Sequence, residues 1–208
     1  MDKKNNKLNQ MYEDINYHIL NDTRPSIYIE SLDEKGELED RPFNMLSRLK
    51  KVEQSKKYHP EGNVWKHTML VLNEAAKVKE KSSDSNVFMW GALLHDIGKF
   101  ETTKYRKDKI TSYDHDKVGA KRVEEFLEYF QQDTEYIKKV AMLVKYHMYI
   151  LYVVKDLPFA DLKGLRKETN IDDIALLGLC DRLGRGGADE KLEEENIRLF
   201  LKKAKNNK

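Results

Sequence analysis

Cysteine is nearly missing from this chain, long apolar runs are missing altogether, and neither sign of charge prevails. The lone Cys180 excludes an internal disulfide, and its setting in the apolar stretch "LLGLCDRL" predicts a buried structural thiol. No segment approaches the ~18 uninterrupted apolar residues of a membrane helix, and the opening "MDKKNNKLNQ" has no apolar core of a signal peptide. The expectation is a cytoplasmic protein with no signal peptide and no membrane partner. Basic residues number 38 and acidic residues 36, a formal charge of +2 with no long block of one sign. That balance argues against broad non-specific nucleic-acid binding and leaves room only for a local basic groove.

What is present suffices for a folded domain. The 208 residues, 39% hydrophobic and 10% aromatic, can bury a substantial core, which excludes global disorder. The apolar pattern is helical almost throughout and predicts an all-α fold, a compact multi-helix bundle with a small amino-terminal extension. Helices are predicted over Asn5 to Leu20, Phe43 to Val52, and Asn63 to Lys79, the last striped by Val64, Thr68, Val71, Leu72, Ala75 and Val78 with Asn63 as N-cap. The next helix, capped by Asp84 or Ser85, carries "GALLHDIGKF" with Gly98 near its end. Further helices are predicted over Asp116 to Phe130, Thr134 to Val154, Phe159 to Thr169, Asp172 to Leu183 and Asp189 to Lys205, before a frayed Lys/Asn-rich tail.

Between the helices, "NDTRPSIYIESLDEKGELEDRP" reads as a polar connection with turn signals at Pro25, Gly36 and Pro42, and "PSIYIES" inside it is the best strand candidate. Residues 101 to 114, "ETTKYRKDKITSYD", read as an exposed, mostly basic loop. A solvated charged surface is the ordinary explanation for Lys104 to Lys109, with RNA contact as the alternative. The chain divides at residue 45: 1–45 is a helix and connecting segment, 46–208 the main domain.

Histidines and aspartates on polar helix faces need no explanation, but several here lie on apolar stripes. His67 lies with Val64, Val71 and Val78; His147, in "AMLVKYHMYILYVV", with Val140, Val144 and Leu151; Asp181 follows Ile174 and Leu177 at helical spacing. His95 and Asp96 sit side by side in the most apolar helix. Any one of these alone reads as a hydrogen-bonded core residue. Jointly they point to a shared divalent cation, because isolated buried carboxylates and unsatisfied imidazoles are costly. His115 stands at the start of a helix, at the rim of such a site; Asp114 and Asp116 beside it read as N-caps. Lys99, three residues after Asp96, shares that helical face and could neutralise a substrate phosphate, or could simply snorkel to the surface. Gly98 would allow a ligand close to the backbone.

The ordered set of His67, the doublet His95-Asp96 within "LLHDIGK", and Asp181 resembles the HD-domain superfamily of metal-dependent phosphohydrolases. The stretches "YHPEGNVWKHTMLVLNEAA", "DHDKVGAKRVEEFL" and "LGLCDRLGRGG" are similar to the HD region attached to bacterial CCA-adding tRNA nucleotidyltransferases, over Leu46 to Gly187. Those longer enzymes have a head domain with a Gly-Ser pair and paired carboxylates. Nothing before Leu46 supplies these, so the expectation is a free-standing hydrolase module that adds no nucleotides.

The resemblance implies that His67, His95, Asp96 and Asp181 bind a first metal, and that His115 and His147 add a second bridged by Asp96. It leaves out His18, on a weak helix, and His59, for which a structural role is expected. One or two divalent transition-metal ions are implied; nitrogen and oxygen donors without thiolate suit Mn, Fe, Co, Ni or Zn rather than a pure Mg site. The implied reaction is hydrolysis of a nucleotide monophosphate or 2',3'-cyclic phosphate, as a small molecule or at an RNA end, by metal-activated water centred on Asp96. Lys99 would stabilise the added charge, helped by Arg182 or Arg185. Two alternatives stay open: a two-iron oxygenase, and a non-catalytic nucleotide- or RNA-binding module. No obligate protein partner is evident.

Overall fold

A computed structural model describes residues 3–107 and 109–206. Helix α1, Lys3–Asn21, places Leu8, Met11, Tyr12, Ile15 and Ile19 on one buried stripe. The predicted polar connection contains a second helix, α2, Ser26–Glu34, where "PSIYIES" had suggested a strand. The alternation of Ile27 and Ile29 mimics a strand, but the buried residues Ser26, Ile29 and Leu32 recur at helical spacing. A short α3, Asn44–Ser47, and a 3-10 turn at Arg48–Lys51 replace the single helix expected from Phe43 to Val52.

Helix α4, Val64–Val78, begins at Asn63, whose side chain accepts from the Lys66 N–H. Helix α5, Ser85–Leu94, is capped by Asp84, which accepts from the Asn86 and Val87 N–H groups. Every residue from Val87 to Leu94 is buried, and α5 packs against α1, α4 and two later helices, α8 (Thr134–Tyr146) and α11 (Ile171–Leu183). A helix apolar on all sides has no solvent face to keep, so α5 is the central rod of the bundle. Trp90 on it stacks on Tyr12 and donates through Nε1 to Asn16 Oδ1 at 2.9 Å, fixing α1 against the centre.

The chain leaves α5 through His95 and Asp96 and re-enters a one-turn helix, α6, Lys99–Thr102. The expected basic loop is a small antiparallel hairpin, β1 (Lys104–Arg106) with β2 (Lys109–Thr111). Its strands are too short and too exposed to show an alternating pattern in the sequence. Helix α7, His115–Tyr129, packs along α8. The long helix expected from Thr134 to Val154 is broken after Tyr146, and α9, Tyr149–Val154, follows. Helix α10, Leu162–Glu168, is shorter than the expected span from Phe159. Helix α11 has Asn170 as N-cap, and α12, Glu190–Lys205, starts from Asp189. The last two residues of the tail expected to fray lie outside the described residues.

One apolar cluster runs through all of this, from Ile15 and Ile29 through Phe88, Phe126 and Val144 to Leu177 and Phe200. The amino-terminal helices therefore share the core of the bundle. Among the described residues, no helix is long and apolar enough to cross a membrane. Cys180 is buried and free, as expected, and burial raises its thiol to about 12.

Candidate metal centre

The same local device places three histidines. Nδ1 of His95 lies 2.8 Å from Ala92 O, Nδ1 of His115 lies 2.7 Å from Ser112 O, and Nδ1 of His147 lies 2.6 Å from Val144 O. Ala92 and Val144 belong to the last turns of α5 and α8, where carbonyls have no further helical N–H to meet. The His95 and His147 rings each cap the end of the helix that precedes them, which is why the chain breaks at His147 inside an otherwise continuous apolar pattern, while His115 meets a loop carbonyl just before α7. A carbonyl only accepts, so Nδ1 carries the proton in each ring, and Nε2 of the neutral ring presents a lone pair.

Those lone pairs converge on Asp96. Its Oδ2 lies 3.3 Å from His95 Nε2 and 3.9 Å from His67 Nε2, and its Oδ1 lies 3.4 Å from His115 Nε2 and 3.7 Å from His147 Nε2. His115 Nε2 and His147 Nε2 are only 3.2 Å apart. Asp181, on α11, comes within 3.0 Å of His67 Nε2. All are buried. His115 is therefore inside the cluster, not at its rim. Two groups form, His67-His95-Asp96 and Asp96-His115-His147, each with donor atoms within 4.8 Å of one another, and Asp96 belongs to both. His95 Nε2 is a buried polar atom with no hydrogen-bond partner among the described residues. A set of acceptors with an orphan among them fits a divalent cation.

Electrostatics agree with that description. Burial alone would raise Asp96, but the Lys99 ammonium, and His95 whenever its ring is protonated, hold it well below the usual carboxylate range. Asp181 is likewise held low against its burial, by Arg185 and His67. His115 is pushed down to about 3 by burial and then by Lys99, and burial also lowers His147. Both rings are thus neutral at ordinary pH. His67 is the exception: burial opposes its charge, but Asp181 and Glu61 outweigh it and raise the ring.

Around the cluster stand the basic groups. Lys99 Nζ lies 2.8 Å from Asp96 Oδ2, so the lysine faces the centre although the helix is interrupted between them. Arg185 Nη2 donates to both oxygens of Asp181, at 3.2 and 3.0 Å. Arg182 is directed elsewhere, its Nε paired with Glu193 at 2.7 Å. Gly98 does not leave its backbone open to a ligand, as the sequence suggested. A Cβ there would lie 2.2 Å from His115 O and 2.6 Å from Gly119 N, so the space is filled by α7. Nor do Asp114 and Asp116 cap α7 in the expected way. Asp114 occupies the N-cap position with φ of 58° but caps no N–H, and its carboxylate accepts from Lys117 Nζ; Asp116 accepts from the Lys117 N–H.

Sequence reasoning missed Glu61 altogether. Its Oε1 lies 2.8 Å from His67 Nδ1 and 2.9 Å from His59 Nδ1, and it orients the first ring from behind. These two histidines and Glu61 form a third tight group, and Glu61 is held down to about 2. The residues before α4 have no periodicity, so only the tertiary fold reveals this contact. His18, set aside in the sequence reading, pairs with Asp22 and stacks on Tyr28.

Comparison with known proteins follows the same lines. A model of the HD domain matches residues 64–185. The chain is 31% identical over 175 residues to a multifunctional CCA protein of Actinobacillus pleuropneumoniae serotype 5b, covering 80% of this chain and 41% of that protein. It is 28% identical over 179 residues to that of Mannheimia succiniciproducens (82% and 42%) and 29% identical over 174 residues to that of Pasteurella multocida (80% and 40%). The chain thus spans about two fifths of the length of these curated relatives. The matched span contains His67, His95, Asp96, His115, His147 and Asp181, and the chain belongs to the HD-domain family.

Proposed function

We propose that this chain is a metal-dependent phosphohydrolase acting on a phosphate ester, a nucleotide monophosphate or a 2',3'-cyclic phosphate, free or at an RNA end. The observation that supports it most is the convergence of four histidine Nε2 atoms on Asp96, three of them from rings whose Nδ1 is committed to a backbone carbonyl. His115 and His147 face each other at 3.2 Å, and with both Nδ1 atoms donating to carbonyls neither neutral ring can donate to the other. A cation relieves that repulsion; another acceptor would not.

In this reading His67, His95, Asp96 and Asp181 hold one ion, and Asp96, His115 and His147 hold a second. When bound, a divalent transition metal of the Mn, Fe, Co, Ni or Zn type supplies water activation near neutral pH and Lewis acidity toward a phosphoryl oxygen. The chain supplies the rest. Lys99, anchored on Asp96, places its ammonium where negative charge builds up on phosphorus, and Arg185, anchored on Asp181, adds a guanidinium from α11. Arg182 drops out of this assignment because Glu193 engages it. Glu61 keeps His67 in the tautomer that turns Nε2 inward.

A second reading, a two-iron oxygenase, is favoured by one observation: His115 and His147 both join the cluster. Iron retained through purification, with oxygen consumption and no ester hydrolysis, would select it. The test of the hydrolase reading uses metal-stripped protein, resupplied separately with Mn, Co, Ni, Zn and Mg, on 2',3'-cyclic AMP and simple nucleotide monophosphates. Turnover that returns with a transition metal supports the reading; its absence with every metal sinks it.

A further inference from the structure

Gln54 lies between the turn at Arg48–Lys51 and α4, in a segment with no regular structure, yet it is buried. Its Oε1 accepts from Lys99 Nζ at 2.8 Å. An ammonium only donates, so the amide orientation is settled: oxygen toward Lys99, the NH2 group away from it. That NH2 group, Nε2, is covered and has no hydrogen-bond partner. A second covered donor without a partner among the described residues is Arg185 Nε, on the guanidinium that grips Asp181, itself bonded to His67 of the same cluster. Covered donors that lack acceptors are uncommon in native proteins, and two attached to one centre share a complement: an oxyanion.

We propose that Gln54 binds a non-bridging phosphoryl oxygen of the substrate, or of released phosphate, through Nε2. It extends the anion site from Lys99 to the segment before α4. The inference rests on the phosphohydrolase reading for its ligand class. Burial of Nε2 does not set it apart from the centre, because His95 Nε2 is equally covered. The competing explanation is that Gln54 only holds Lys99 in place through Oε1.

The experiment uses the metal-loaded 208-residue chain and inorganic phosphate as probe. Calorimetry gives phosphate affinity for wild type, Gln54→Glu and Gln54→Met, with bound metal measured in each. Glu keeps the oxygen that meets Lys99, loses the donor and adds a negative charge, so its phosphate affinity is compared across salt concentrations that screen that charge; Met loses both groups and stays neutral. Phosphate affinity should fall by about tenfold or more in both variants at unchanged metal content. Wild-type affinity in Gln54→Glu would assign Gln54 to Lys99 alone and overturn the proposal. If either variant fails to fold, the Gln54 side-chain amide resonances of the wild type decide: they should shift on phosphate addition, and unmoved resonances overturn it. Shifted resonances without ester hydrolysis under any metal would leave this site standing and bring down the hydrolase reading. Metal-dependent hydrolysis with unmoved resonances does the reverse.

Discussion

At the scale of single residues, the centre depends on which ring nitrogen carries the proton. His95, His115 and His147 spend Nδ1–H on carbonyls of their own chain, three residues back, and aim Nε2 at Asp96. Asp96→Ala removes the one carboxylate common to both donor groups and should abolish turnover and metal retention together, read by phosphate release and elemental analysis. Glu61→Gln keeps the size of a residue that touches His67 only from behind. Metal affinity should fall by about 10–100-fold with the fold intact, measured by competition with a chelator.

The metal-free protein also has a signed pH dependence. His59 is pushed down to about 4 and His115 to about 3, burial being the main cause in each. Both rings bind a proton more readily in the unfolded chain, near pH 6.5, than in the folded one. The contribution of these two rings should be full above about pH 6.5 and decline as pH falls toward 3, and the lowered carboxyls of Asp96 and Asp181 add to the acid side. His67, being raised, works the other way and loses its contribution as pH rises through its folded value. Urea melts from pH 4 to 8 would show the slope; flat stability across the acid side would contradict it. His67, His147 and Asp181 were legible because they lie on apolar stripes, and His95 and Asp96 because they interrupt the most apolar helix; His115, at a helix start, gives no such signal and reads as a rim residue. Glu61 and Gln54 were not legible, because they reach the centre from an aperiodic segment and have meaning only beside His67 and Lys99.

At the scale of elements, ends matter more than lengths. The two doublet residues sit just past α5, where the helix stops and its carbonyls need partners, and α8 stops for the same reason at His147. Hydrophobic periodicity continues straight through such a break, so the sequence pattern joined α8 and α9. It missed the hairpin because polar strands of three residues leave no alternation, and it misread α2 because two isoleucines alternate. Gly98 is where elements press closest. Gly98→Ala puts a methyl into the His115 carbonyl and Gly119, so α6 and α7 must part. The expected cost is about 1–3 kcal/mol of stability, with a displaced His115 and weakened metal binding. Calorimetric melting with a metal titration would check both, and a variant of wild-type stability would show that α7 yields freely.

At the scale of the whole molecule, the amino-terminal helices and the rest share one core. Trp90, on the central helix, is stacked on Tyr12 and bonded to Asn16, and Ile15 and Ile19 are fully buried. Removing residues 1–45 should therefore leave a bundle without cooperative unfolding, seen as a broad thermal transition and exposed apolar surface. A sharp transition like that of the full chain would mark 46–208 as an independent unit. The global helical class was legible because apolar spacing recorded it on most helices; the shared core was not, since α1 is polar enough on its other face to resemble an appendage.

The most direct test of the account is the metal itself. Purified protein, stripped by chelation and dialysed against Mn or Co, is analysed for bound metal and melted with and without it, beside Asp96→Ala. Wild-type protein should hold at least one ion per chain and, at 100-fold excess over the dissociation constant, gain about 2.7 kcal/mol of stability, none of it in the variant. Wild-type protein that retains no transition metal and melts unchanged in its presence would contradict the account at its centre.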